Sequence, residues 1–143
     1  MRNTVLTDTG FWLALISKKD RYHSRVLQYM QNASSALVTT WPVIVETSYL
    51  LNKRVGVHQQ LEFVRSMSLG QVQIMSLQEN VLSRAHVLME KYRDLPMDLA
   101  DASLVIAAEE LNNGSILSTD RRDFQTYRWK NREPFHNLLF PDD

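Results

Sequence analysis

The sequence contains no cysteine. That removes disulfide frameworks, thiolate zinc sites and thiol nucleophiles at once. It carries no net charge either, because 16 acidic side chains balance 16 basic ones, so a protein held to nucleic acid by bulk charge alone is excluded. Long apolar runs are missing: Phe11 to Ile16 and Leu104 to Ala108 fall far short of the ~20 residues that cross a membrane. A secretory leader is not expected, since Asp8 interrupts the first apolar stretch and Lys18, Lys19 and Asp20 follow it. The expectation is a cytoplasmic protein without a membrane segment. Four glycines and four prolines leave few breakpoints, so most of the chain should be regular structure. Gly10 stands alone after the first apolar stretch, which excludes both a P-loop and a dinucleotide-binding glycine fingerprint.

What is present is ordinary globular material, 44% hydrophobic and 22% charged over 143 residues. Residues 1–143 read as one domain, long enough to bury about two thirds of its unfolded surface. The apolar pattern alternates between short runs and helical periods. Strands are expected at Thr4 to Thr7, Ala36 to Thr40, Gln71 to Met75 and Ser115 to Ser118, with a fifth around Phe135 to Leu138. Helices are expected at Gly10 to Ser17, Arg21 to Asn32, Val43 to Lys53, Val57 to Ser68, Gln78 to Tyr92 and Asp98 to Leu111. Pro42 suits a first helical turn, and Gly70 and Asn113-Gly114 suit helix ends. Such alternation predicts βαβ units, hence an α/β protein with a mainly parallel sheet covered on both faces.

In open parallel sheets, ligands bind outside the carboxyl ends of the strands. Asp8 follows the first expected strand and Asp120 the fourth. Glu46 and Asp101 sit inside strongly apolar helix sequence, Val43-Ile44-Val45-Glu46 and Asp101-Ala102-Ser103-Leu104-Val105. Acids in such company are costly to bury uncompensated, and several together raise one another's pKa. A hard divalent cation removes that penalty. An all-oxygen donor set points to Mg²⁺ or Mn²⁺ and to phosphoryl chemistry. Each acid also has a plainer reading. Asp8 could end a strand and Glu46 could face solvent. Asp98 and Asp101 match a helix N-cap and its N3 partner, and for Asp98 the cap is the preferred reading. Asp123 reads as a helix-start acid after Asp120.

Four segments, in order, resemble the PIN-domain ribonucleases of the kind found as VapC toxins of toxin–antitoxin pairs. They are Leu6-Thr7-Asp8-Thr9, Val45-Glu46-Thr47, Asp98-Leu99-Ala100-Asp101-Ala102-Ser103-Leu104 and Ser118-Thr119-Asp120-Arg121-Arg122-Asp123-Phe124. The resemblance implies a three-layer α/β/α fold with a five-stranded parallel sheet, and Mg²⁺- or Mn²⁺-dependent hydrolysis of single-stranded RNA. It implies that Asp8, Asp101 and Asp120 hold the metal. Glu46 would complete the site or orient the attacking water, and Asp98 could assist. It matches the family's small hydroxyl residue to Thr119, or less directly to Ser118. It also implies a homodimer and a short antitoxin segment bound near the paired helices at about Val43 to Ser68, with Trp12 and Tyr49 as candidate lining.

RNA also needs cations to hold its phosphates. Lys18 and Lys19 with Arg21 and Arg25, Lys53 with Arg54, and Arg121 with Arg122 form three basic groups. Arg128, Lys130 and Arg132 form a fourth, interleaved with Tyr127 and Trp129, which could stack unpaired bases. His23 reads as a helix-start or packing residue rather than a catalytic base. Two other functions fit less well: a carboxylate–metal phosphohydrolase acting on another phosphoester, and a non-catalytic RNA- or protein-binding module that kept the fold. Gathering four acids around a metal would leave twelve against sixteen basic groups, so the surface met by RNA would be basic despite the balanced total.

Overall fold

A computed structural model describes residues 3–143. Five parallel strands form one sheet in the order β3-β2-β1-β4-β7: β1 is Thr4–Thr7, β2 Ala36–Thr40, β3 Gln73–Met75, β4 Ser115–Leu117 and β7 His136–Asn137. Helices flank this sheet in the three-layer α/β/α arrangement: α1 Thr9–Ile16, α2 His23–Asn32, α3 Trp41–Arg54, α4 Val57–Ser68, α5 Val81–Lys91 and α6 Leu99–Leu111. Among the described residues no helix is long and apolar enough to cross a membrane.

The strands form where β-branched and aliphatic residues run together, and the central ones are closed to water. Val5, Leu6, Val38, Ile116 and Leu117 are all essentially inaccessible, as a two-sided parallel sheet requires. Helix α6 is nearly apolar all round, burying every residue from Ala102 to Ala108, so it packs as a core element and not as a surface helix. It ends at Asn112, which adopts the left-handed conformation that asparagine tolerates.

Strand order decides where a site can form. From β1 the chain steps outward to β2 and β3, then returns across the sheet to pair β4 with β1, Leu6 opposite Ile116 and Thr7 opposite Leu117. The direction of winding therefore reverses between β1 and β4. The ends of these two strands open the crevice where doubly wound sheets bind their ligands.

Between Asp120 and the last strand of the sheet the structure adds elements that the apolar pattern does not announce. A six-residue helix, α7 (Arg121–Thr126), comes first. A small antiparallel hairpin follows, β5 (Arg128–Trp129) with β6 (Glu133–Pro134). Its turn puts Lys130 and Asn131 at positive φ, 51° and 62°. Glu109 holds it, pairing with Arg84 at 2.8 Å and accepting the Lys130 backbone N–H at 2.7 Å.

The aromatic residues of this region are not a base-stacking platform. Tyr127 is fully buried and Trp129 nearly so, and a ring enclosed by its own core has no free face for a base. Trp129 lies against Gly114, where a Cβ would run into its indole nitrogen, and donates to the Pro134 carbonyl at 3.0 Å. The hydrophobic residues here anchor the hairpin; Lys130 and Arg132 are exposed, while Arg128 is half-buried and donates to the Gln125, Thr126 and Tyr127 carbonyls.

Candidate metal centre

Asp8 is placed by β1 and α1 together. It is the N-cap of α1, its Oδ1 accepting the Phe11 N–H at 2.8 Å, as a residue between a strand end and a helix start can do. The same carboxylate is 4% exposed. Its Oδ2 accepts a 2.5 Å hydrogen bond from Ser118 Oγ, and Ser118 Oγ in turn accepts the Asp120 N–H at 2.9 Å. One buried hydroxyl thus ties the ends of β1 and β4 to each other and links two of the expected acids.

Asp98 caps α6 and accepts the Asp101 N–H at 2.8 Å. That cap orients the first turn so that Asp101 faces the crevice. Asp120 caps α7, accepting from the Asp123 N–H at 3.4 Å. Carboxylate oxygens of Asp101, Asp120 and Asp123 all lie within 4.8 Å of one another. Asp123, read from the sequence as a helix-start acid, is therefore both that and a member of the tightest acidic group among the described residues. Its spacing of three from Asp120 was the available signal, since residues three apart share one face of a helix.

Glu46 accepts the Thr9 hydroxyl at 2.5 Å, and it lies near enough to Asp98 for that charge to raise its pKa. Of the four acids expected from the sequence, Asp101 and Asp120 come together directly. Asp8 joins through Ser118, and Glu46 through Thr9 and Asp98.

The electrostatics record the crowding. Burial pushes Asp8 up to about 7, against the stabilising hydrogen bond from Ser118. Burial and then the Asp98 charge push Asp101 up to about 8. Burial and the hydrogen bond with Asp123 push Asp120 up to about 6. Burial raises Glu46 as well, with the Asp98 charge adding to it. Carboxyls that resist ionisation because they are buried beside one another are what a bound cation would ionise. With oxygen donors throughout and no nitrogen or sulfur, the residues present fit a hard divalent ion.

The hydroxyl and basic positions resolve unevenly. Ser118, the less direct of the two candidates, makes the contacts to Asp8 and Asp120, while Thr119 packs over Gly10. Lys18 and Lys19 are exposed at the end of α1. Arg121 pairs with Asp143 through two hydrogen bonds and lies over the Phe140 ring. Arg122 contacts Asp123 at 3.2 Å. His23 opens α2, its Nδ1 2.7 Å from the Ala14 carbonyl oxygen, the packing role read for it. Tyr127 donates to Asp101 Oδ2 at 2.9 Å; burial and the Asp101 charge raise its own pKa, so it is a neutral donor.

The family profile described as PIN domain matches residues 5–130. Ribonuclease VapC26 of Mycobacterium tuberculosis (strain ATCC 25618 / H37Rv) is 29% identical over 124 residues, spanning 87% of this chain and 92% of that protein. Among solved structures, Mycobacterium tuberculosis VapC20, a sarcin–ricin loop cleaving toxin, superposes with a TM-score of 0.76. It does so at 18% identity, over 81% of this chain and 89% of that one. At that identity the superposition speaks for the fold.

Proposed function

Since the chain belongs to the PIN-domain family, we propose that it is a divalent-metal-dependent ribonuclease that hydrolyses phosphodiester bonds of single-stranded RNA. In this reading it acts as the toxin of a toxin–antitoxin pair. The observation that carries this is the acidic group itself: Asp101, Asp120 and Asp123 within 4.8 Å of one another, with Asp8 joined to them through Ser118. The 29% identity to a protein named as a ribonuclease supports the substrate class.

Asp8, Asp101 and Asp120 would hold the ion, Mg²⁺ or Mn²⁺, with Asp123 beside them. A bound divalent ion supplies charge for a phosphoryl oxygen and lowers the pKa of a water. The remaining work belongs to the chain. Ser118 keeps Asp8 and the start of α7 in register. Glu46, fixed by Thr9 and coupled to Asp98, is the carboxylate free to orient a water or complete the site. Thr119 walls the crevice beside Gly10. Lys18, Lys19, Arg121 and Arg122 are the cations offered to the RNA backbone. Arg121 must exchange Asp143 for a phosphate to serve.

The same reading implies a second copy and an antitoxin segment as partners, and the cytoplasm as the place of work. Exposed apolar residues on α3 and α4 support the protein partners: Trp41, Val45, Tyr49, Val57, Leu61 and Val64 all keep at least a third of their surface open. Trp12, offered as groove lining, is buried against Phe63, centroids 5.7 Å apart.

The test is cleavage of a single-stranded RNA with mapping of the new ends. Wild-type protein should cut in Mg²⁺ or Mn²⁺ and stop in EDTA, and Asp8→Asn should lose nearly all of that activity. A wild-type protein that takes up no Mn²⁺ in a carboxylate-dependent way would instead be a binding module.

A further inference from the structure

Tyr127 is the residue that ends α7, and α7 begins at Asp120. Its backbone N–H is tied to the Asp123 carbonyl at 2.9 Å. Its ring packs edge-on against Tyr92 and Phe124, centroids 5.0 and 5.1 Å away, and is wholly buried. Tyr92 is itself anchored, its hydroxyl accepting the Arg128 N–H at 3.1 Å. The ring therefore has one place to be. Its single polar atom emerges from this apolar packing at Asp101 and donates to Oδ2 at 2.9 Å.

An aspartate carboxylate turns easily about its last torsion, which has broad wells. A carboxylate that must hold a cation together with Asp120 and Asp123 benefits from a donor that fixes one oxygen and leaves the second to offer. Partners of this kind orient a ligand, and their loss typically costs about 10- to 100-fold in metal affinity. The short helix strengthens the case. Its N-terminus carries Asp120, its first turn carries Asp123, and its end carries the phenol aimed at the third member of the group, so one rigid piece sets all three carboxylates.

We propose that Tyr127 is a positioning residue of the metal centre, its phenol clamping Asp101 so that one carboxylate oxygen is presented beside those of Asp120 and Asp123. This rests on the metal-dependent reading above. It also gives the aromatic residue of the C-terminal basic group a task other than stacking on bases.

Tyr127→Phe removes one oxygen and keeps the ring and its packing. Isothermal titration with Mn²⁺ should show Kd weakened about 10-fold, with cleavage recovering as Mn²⁺ is raised and KM for RNA little changed. Tyr92→Phe perturbs the same stack without touching Asp101 and should keep the wild-type Mn²⁺ Kd. In an Asp101→Asn background, Tyr127→Phe should add no further loss of Mn²⁺ affinity. A Tyr127→Phe protein with wild-type Mn²⁺ affinity, whatever its melting temperature, would overturn the inference, as would an undiminished effect in the Asp101→Asn background. A wild-type protein without carboxylate-dependent Mn²⁺ uptake would overturn the metal reading and this inference with it.

Discussion

Ser118 Oγ donates to Asp8 Oδ2 at 2.5 Å while accepting the Asp120 N–H at 2.9 Å. The hydroxyl is fully buried, so nothing from solvent replaces it when it is removed. Ser118→Ala should destabilise the fold by about 1.5–3 kcal/mol, the usual range for a hydrogen bond to a charged group. It should also lower cleavage by loosening Asp8 and Asp120 together. Urea unfolding in Mn²⁺ and initial rates on one RNA check both. An unchanged rate would remove Ser118 from the site.

Metal-free protein should lose stability as pH rises. Unfolded aspartates titrate near 3.8, whereas Asp8 and Asp101 titrate at about 7 and about 8 in the fold. Between those values the native state holds protons that the unfolded state has released, so unfolding becomes easier with each step upward in pH. This contribution is fully favourable below the unfolded pKa and gone above about pH 8. A cation that ionises the cluster reverses the penalty. Melting temperatures in EDTA and in Mn²⁺, at pH 5 and pH 8, should show the larger metal-induced rise at pH 8. Equal rises would contradict a shared acidic site.

Asp8→Asn should separate stability from activity. The asparagine carbonyl can still cap α1 through the Phe11 N–H, and no buried charge forms at high pH. Melting in EDTA at pH 8 should therefore stay near wild type, the avoided charge offsetting the Ser118 bond that an amide nitrogen in place of Oδ2 cannot accept. Cleavage in Mn²⁺ should fall more than about 100-fold, because a metal-held transition state is worth several kcal/mol. A large drop in EDTA stability would instead make Asp8 chiefly a structural cap.

Gly10 has no room for a methyl group, since an added Cβ would run into Thr119 Oγ1 and meet Asp8 Oδ1 at 3.5 Å. Gly10→Ala should cost about 1–3 kcal/mol from overpacking, and Thr119→Ala should restore most of it. A double-mutant cycle by urea unfolding measures that coupling. Additive effects would mean that the two residues do not share the space.

Much of this molecule can be read in its residues, and the exceptions have physical causes. Strands β1 and β2 begin and end where the apolar pattern puts them, because burial on both sides leaves little freedom in register, and helix α4 does so between Gly56 and Gly70. Helix α7 and the hairpin escape the pattern. Arg121–Thr126 buries only Asp123 and Phe124, too few for a visible period, and the hairpin turns on Lys130 and Asn131 in a backbone region that no glycine announces. Asp98 and Glu46 could be located separately, but not their nearness, which depends on how α3 meets α6. Tyr127 and Trp129 show the opposite error: aromatic residues among arginines suggest exposure, yet both rings close the core against α5, α6 and Gly114. The hydroxyl could be narrowed to Ser118 or Thr119, and only the fold of β4 shows which one turns inward.

The pairing of β1 with β4 carries a consequence for the life of the protein. Asp8 and Ser118 meet across 110 positions of sequence, and Asp101, Asp120 and Asp123 come later in the chain than the first three strands. A nascent chain therefore displays Asp8 and Glu46 long before any partner acid exists to join them. The acidic group is therefore a property of the finished fold, since β1 can pair with β4 only after Ser115–Leu117 has been made. Whatever chemistry the acidic group supports becomes available only once synthesis has passed Asp123.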